Sequence, residues 1–378
     1  MKIQRHIRPF TAARGMAARC GRIAGLAELR DEKETGRASS PSATRSLSER
    51  NPATVGERIS GPMIHPFRFG VQLSELPESD WRDRVRRIEA LGYSSIFWPD
   101  HFGPQWEPVA ALAAVAAVTE RIRVGSLVYD VDYRHPVVLA KAAATTHLLS
   151  GGRFEFGIGA GWMESDYEEA GIRFDRPGLR IERLEEALAI IRGVWTDEKT
   201  SFAGKHYRTE AAQRAAKLPE GSVPPILIGG GGPRLLRLAG RYADIVGISA
   251  MVDQGRVTPE TARDVAPDRV LEKIAWIRES AEQAGRDPDA IELNTLTFVC
   301  AITDDPKPLR EALAGNTGLS PEEVANCPLF LAGSGSEIRE RLERQREETG
   351  ISYVVIQGSD QSLVERFAEE VVAPLTGK

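Results

Sequence analysis

Residues Pro225–Ile248 read PILIGGGGPRLLRLAGRYADIVGI, and the fold is decided by how this stretch is read. The apolar run Pro225 to Ile228 has the character of a strand. It stops at four glycines, and Pro233 then opens a helical pattern carried by Leu235, Leu238, Ala239 and Tyr242. A second apolar run, Ile245 to Ile248, follows at once, so the unit is a β-α-β crossover and implies a parallel sheet. Glycines let the backbone approach a ligand closely, and proline at the first helical position leaves the free amides of the first turn pointing outward. Amide hydrogen bonds and the helix dipole make such a turn attractive to an anion. Four glycines exceed what a turn needs, so Gly229, Gly230, Gly231, Gly232, Pro233 and Arg234 are expected to hold a phosphate; a tight turn with no ligand is the other reading. The pattern is neither GxGxxG nor GxxxxGK[ST], which argues against a Rossmann dinucleotide site and a nucleoside triphosphatase.

The same alternation repeats on both sides of this unit. Upstream, strand patterns run from Arg68 to Leu73, Ser94 to Trp98, Ile122 to Val128 and Phe154 to Ile158, separated by helical patterns at Trp81 to Leu91, Val109 to Thr119 and Val137 to Leu149. A long helix with Ile181, Leu184, Leu188, Ile191 and Trp195 on one face leads to a polar excursion, Thr200 to Ser222, in which SFAGKHYR reads as a small hairpin turning at Gly204. Downstream, a helix Val270 to Ala284, a strand Ile291 to Val299, helices near Pro306 to Ala314 and Glu337 to Glu348, a strand Tyr353 to Gln357 and a helix Leu363 to Val372 complete the chain. Eight strands alternating with helices predict an α/β fold, a (β/α)8 barrel with an insertion after the fourth βα unit and its active site at the C-terminal strand ends. A doubly wound open sheet is the runner-up.

The first 65 residues differ from the rest. Arginines recur from Arg5 to Arg30, serines cluster from Ser39 to Ser48, and apolar periodicity is slight, so residues 1–65 read as a poorly ordered or loosely helical extension to a single barrel domain over 66–378. A targeting peptide also fits an Arg-rich, acid-poor start, and a start codon placed too early, with Met63 as the functional start, is the reading we favour. A short helix within Phe10 to Leu29 is compatible with each.

A formal net charge of -5 leaves no overall basic field and argues against nucleic acid as the main partner. Cys20, Cys300 and Cys327 are widely separated and form no CxxC pair or Cys/His ligand spacing, which reads as a reduced cytoplasmic protein without structural zinc. No apolar stretch approaches the roughly 18 residues that span a bilayer. The expected partner is a small-molecule substrate, with neither nucleic acid nor membrane involved; a homodimer is a possible assembly.

Strand two ends in Trp98-Pro99-Asp100-His101-Phe102, on the face where a barrel does chemistry. His101 is therefore a candidate hydrogen-bond donor or proton carrier whose tautomer Asp100 could hold, against the reading of a structural histidine. Strands three and four end in Gly125-Ser126-Leu127-Val128-Tyr129-Asp130 and Gly157-Ile158-Gly159-Ala160-Gly161-Trp162. Their glycines suit a flat ligand lying close to the backbone, or tight packing beneath the loops. Arg134, His135 and Pro136 either hold an anion or cap a helix, and Glu164, Asp166, Glu168 and Glu169 read as a solvated acidic helix start. No Ser/His/Asp order, HExxH pattern or paired acidic motif favours a hydrolase.

RFGVQL, SSIFWPDHF, RIRVGSLVYDVDYRHPVVLAK, LLSGGRFEFGIGAGW and PILIGGGGP occur in the order and rough spacing of the luciferase-like flavin and deazaflavin oxidoreductases, which this sequence resembles from Phe67 onward. It is most similar to the actinobacterial branch that uses coenzyme F420. The resemblance implies a barrel with the cofactor ring across strands two to four, Asp100 and His101 close by, and a non-prolyl cis peptide between Leu127 and Val128 against the ring. It places Gly161 and Trp162 beside the cofactor and its phosphate at Gly229 to Arg234. The sugar-phosphate dehydrogenases of that branch carry a glutamate where this chain has Trp162, so a sugar-6-phosphate substrate is not expected and Trp162 is expected to pack on the ring or an apolar substrate. The activity implied is hydride transfer with F420 to or from a small organic substrate. A reduced-FMN monooxygenase is the alternative, and a binding protein that has lost catalysis is the non-enzymatic reading.

Overall fold

The computed structural model describes residues 65–75, 79–215, 218–219, 221–251 and 258–377. Readings made for residues 1–64, among them the helix within Phe10 to Leu29, the start at Met63 and Cys20, lie outside the described residues. In chain order the strands are β1 (Arg68–Gln72), β2 (Ser95–Trp98), β3 (Arg123–Ser126), β4 (Tyr129–Asp130), β5 (Phe154–Gly159), β6 (Lys199–Ala203) and β7 (Arg208–Gln213). They continue with β8 (Ile226–Gly230), β9 (Ile245–Ile248), β10 (Glu292–Thr297), β11 (Val299–Ile302), β12 (Phe330–Gly333) and β13 (Tyr353–Gln357).

Each barrel strand pairs in parallel with the next in the ring β1, β2, β3, β5, β8, β9, β10, β13, and β13 returns to β1. This closure excludes the open doubly wound sheet and makes the eight strand positions a (β/α)8 barrel. β4 continues β3: Gly125 pairs with Glu155 and Tyr129 with Ile158, so four steps on one strand face three on the other. The extra residue is a bulge, and the cis peptide Leu127–Val128 lies within it.

Proline starts many of the crossover helices, including Pro108–Val118, Pro136–Leu149, Pro177–Thr196 and Pro233–Tyr242, because the first helical residue has no intrahelical use for its amide. Of the face read from the sequence, helix Pro233–Tyr242 buries Leu238 and Ala239 and packs Leu235 and Tyr242 half-buried against the core, and it buries Leu236 and Gly240 in addition. Its contact is helix Pro267–Gln283, which comes so close that a Cβ on Gly240 would stand 2.3 Å from the carbonyl oxygen of Ile277. The hairpin of β6 and β7 forms the expected insertion, with the Gly204 amide donating to Tyr207 O.

One element differs from expectation. The run read as a strand from Ile291 to Val299 breaks at Phe298: β10 stays in the barrel, while β11 leaves it to pair in parallel with β12. An unbroken β-forming run such as TLTFVCAI holds no local stop signal, so only the competing partner β12 marks where the chain turns away.

At the N-terminal end of the barrel, charge replaces apolar packing. Glu155, 1% exposed, accepts from Arg68 Nη2 (2.5 Å), Arg123 Nε (2.6 Å) and the Tyr353 hydroxyl (2.8 Å), while Arg68 Nη1 donates to Glu292 at 2.5 Å. Above this floor Phe97, Leu227, Ile245 and Val355 fill the interior with Leu127 and Val128 against them. The floor closes this end of the barrel.

Candidate active site

His101 follows β2 at the C-terminal end, as predicted, but Asp100 does not hold it. Asp100 accepts from Arg134 through both oxygens (2.6 and 3.1 Å) and from the Asp130 amide (3.0 Å). The partner of His101 is Asp166, whose Oδ2 lies 2.6 Å from Nδ1. Asp166 belongs to helix Glu164–Ala170 and is 2% exposed, so the reading of a solvated acidic helix start is wrong at this residue. A local sequence of acids, ESDYEEA, hides which one turns inward. Because Nδ1 is occupied, Nε2 is the nitrogen that can serve a ligand. Trp162 presents to the His101 ring in an edge-on arrangement, with centroids 5.7 Å apart.

Arg134 and His135 cap and brace rather than hold an anion. Arg134 bridges Asp100 and Glu107, and His135 Nδ1 accepts from the Val137 amide. Beneath them Asp130 accepts from Tyr167 and from the Asp132 amide at 3.0 and 2.9 Å. Burial pushes the Asp130 carboxyl up to about 7, with these hydrogen bonds acting against it.

The bulge is held at both backbone polar groups of Leu127. Leu127 N donates to Trp98 O (2.9 Å), and Leu127 O accepts from Gln72 Nε2 (2.8 Å), which Gln357 steadies in turn through Gln72 Oε1 (2.9 Å). Gln72 escaped the sequence reading because a polar residue at the end of an apolar strand resembles a solvated edge. For the glycines of β5, packing wins. A Cβ on Gly157 would stand 1.8 Å from Ser126 O, one on Gly159 2.8 Å from Val128 Cγ2, and one on Gly161 2.1 Å from the Tyr167 hydroxyl. Gly157 and Gly159 let the bulge seat against β5, whereas Gly161, past the strand, has a left-handed backbone with φ 70° and lies against Tyr167 and Asp130.

At the other predicted site, none of Gly229 to Gly232 has a left-handed backbone, so their glycine character is a matter of space. Gly231 packs on the backbone of Ala250 and Met251, where its Cβ would approach to 2.4 Å, whereas a Cβ on Gly232 would meet Met251 Sδ at 3.6 Å. Gly232 is the N-cap of helix Pro233–Tyr242 and no side chain caps that end, so its first amides face outward. The wall behind the turn is fixed by fully buried Lys273, which donates to Ser249 O (2.8 Å) and Asp264 Oδ2 (2.6 Å). Its place in a surface helix gave no sign of this. Arg234 is half exposed, 3.4 Å from Glu182. Within the turn Gly231 is buried, whereas Gly229, Gly230, Gly232 and Pro233 are half-buried and Arg234 is exposed.

A groove of about 950 Å3 bordered by Glu89, Tyr93, Arg121 and Glu365 lies before β2 and β3, at the end away from His101. Among the described residues no three His, Cys, Asp or Glu side chains are arranged to hold a metal ion. No helix among them is long and apolar enough to cross a membrane.

The family model of the luciferase-like monooxygenases matches residues 63–371. The chain belongs to that family. This luciferase-like chain is 30% identical over 325 residues to an F420-dependent glucose-6-phosphate dehydrogenase of Intrasporangium calvum, covering 78% of this chain and 94% of the relative. It is 35% identical over 210 residues to a phthiodiolone/phenolphthiodiolone dimycocerosates ketoreductase of Mycobacterium tuberculosis, covering 55% and 50%. Among solved structures, an F420-dependent secondary alcohol dehydrogenase in complex with an F420-acetone adduct superposes with a TM-score of 0.69 at 20% identity, covering 82% of this chain and 99% of that one. The EDTA monooxygenase of Chelativorans sp. BNC1 has a TM-score of 0.66 at 17% identity, covering 83% and 94%. The luciferase-like barrel is therefore shared by deazaflavin enzymes and monooxygenases alike.

Proposed function

We propose that this chain is a coenzyme F420-dependent oxidoreductase that moves a hydride to or from a small organic substrate. The observation that carries the reading is His101, tied at Nδ1 to buried Asp166 and set beside Trp162 at the C-terminal mouth. The residues fit a flat ring with a phosphate tail: the bulge at Leu127 and Val128 offers an apolar face, and the uncapped helix end at Gly232 offers amides to the phosphate. When bound, the deazaflavin supplies the two-electron chemistry, taking or giving hydride at the substrate carbon. His101 handles the accompanying proton, receiving it at Nε2 as a carbinol is oxidised and returning it as a carbonyl is reduced. Asp166 holds the ring in the tautomer that leaves Nε2 free for this. We place the protein in the cytoplasm, with no nucleic acid partner.

Titration of the protein with F420 and FMN side by side tests the reading. Tighter binding of F420 is expected; a preference for FMN would overturn the reading in favour of a flavin enzyme.

At the phosphate turn, Gly232→Val is expected to weaken cofactor binding by roughly ten- to a hundredfold, the loss of about one charge-assisted hydrogen bond. The fold should be retained, since the new Cβ meets only a flexible methionine. Wild-type affinity in this variant would remove the phosphate from the turn. Gly231 is the poorer target, because a side chain there strikes backbone.

We also take residues 66–378 as one barrel domain and residues 1–65 as an extension to it. His65 already bonds Asp289 O at 3.0 Å and Phe67 is buried, so removal of residues 1–62 spares the first anchors. An unchanged melting temperature and cofactor affinity are expected. A drop of many degrees would show that the extension packs on the barrel.

A further inference from the structure

We infer that the substrate of this site is a neutral, apolar carbonyl or carbinol compound held by an aromatic and thioether rim, an inference that rests on the F420 reading. Phe102 (37% exposed), Trp162 (36%), Met251 (46%) and Phe298 (49%) are among the large apolar side chains the fold leaves in water. All four lie on segments that directly follow barrel strands: Phe102 after β2, Trp162 after β5, Met251 after β9 and Phe298 after β10. They therefore gather at one end of the barrel, the end that carries His101. Water-exposed apolar area grouped at a mouth, rather than scattered, marks a ligand surface. Tyr133 extends it by packing on Phe102 with ring centroids 4.6 Å apart.

Charge points the same way. Among the described residues of the segments joining barrel strands to the next element, Arg134 is the one arginine and there is no lysine. Arg134 is committed to Asp100 and Glu107 at 2.6 and 2.7 Å. A phosphorylated substrate would thus meet Glu75 at this mouth, together with Asp100 and Glu107, which are paired with Arg134, and Asp132, which is paired with Arg183; the nearest other arginines, Arg173, Arg176 and Arg234, stand further out, at helix starts beyond these segments. Next to His101 stands Trp162, whose indole offers a face to hydrocarbon, whereas a carboxylate in its place would have to be desolvated against an apolar ligand.

The test is direct binding, by calorimetry, of 2-ketones of increasing chain length to the F420-loaded protein, with glucose 6-phosphate and inorganic phosphate as the charged arms. Affinity is expected to tighten by about fourfold per methylene until the rim is covered. Neither phosphate compound should bind to the loaded protein. Phe298→Ser and Trp162→Glu should each flatten the chain-length dependence, and Phe298 lies far enough from the phosphate turn in sequence and strand order to serve as the cleaner of the two. A flat series in the wild type, or glucose 6-phosphate binding more tightly than the longest ketone, would overturn the inference while F420 binding stood. Failure of F420 itself to bind, measured first and without substrate, would instead overturn the reading beneath it.

Discussion

Replacement of His101 by alanine is expected to lower turnover by about 10²- to 10⁴-fold, the usual contribution of a positioned acid or base. Cofactor affinity should fall far less, because the imidazole matters most as charge develops on the substrate oxygen. Asparagine separates the two ways in which the ring could act. It keeps a hydrogen bond but cannot carry a proton near neutrality, so recovery of much of the rate would assign hydrogen bonding, whereas two equally slow variants would assign proton transfer. Asp166→Asn is the companion measurement. The substitution keeps the shape but lets the amide present either an oxygen or a nitrogen to Nδ1, so the tautomer is no longer enforced. We expect kcat to drop with KM little changed. Near wild-type turnover in both His101 variants would remove the histidine from the mechanism and leave the cofactor as the sole chemical actor.

The largest effect on stability is expected at the closed end of the barrel. Arg68→Met keeps most of the volume over the Tyr353 ring, where the guanidinium now sits 4.1 Å from the centroid, but removes the charge that separates Glu155 from Glu292. Breaking a buried pair on one side costs about 3 to 5 kcal/mol, and the lower end applies here because Arg68 retains 24% of its side-chain exposure. The loss should depend on pH. The Glu292 carboxyl is already held above its usual range, first by burial and also by Glu155, with Arg68 pulling it back down. Without Arg68 that pull is gone, so the folded-state value rises further above the unfolded one. For an acid shifted in this direction, the favourable contribution is complete below the unfolded pKa and disappears as pH rises through the folded pKa. The deficit relative to wild type, measured by urea unfolding, should therefore be smaller near pH 5 than near pH 8. A deficit that does not change with pH would assign the loss to packing over Tyr353.

Much of this architecture is written locally. Apolar runs of strand length alternate with helical spacing, prolines open the helices and glycines end β8, and these signals depend on near neighbours alone, so the order of the barrel strands and the positions of His101 and the Gly229 to Gly232 turn could be read in advance. What a side chain does once the ring closes depends on residues distant in the chain. Asp166 looks like its acidic neighbours until closure brings it to Nδ1 of a histidine 65 positions earlier. Gln72 becomes the support of Leu127 O across 55 positions, and Asp100 turns from a partner of His101 into the acceptor of Arg134. Glycines that suited a ligand proved, at Gly157 and Gly159, to be room for a neighbouring strand. Sequence patterns by themselves determined the barrel and the end at which chemistry belongs, because hydrophobic periodicity and turn chemistry are properties of short segments. Tertiary structure alone decided which acid serves the histidine and which residue holds Leu127 O, because burial and hydrogen bonding are set by the segments that arrive from elsewhere.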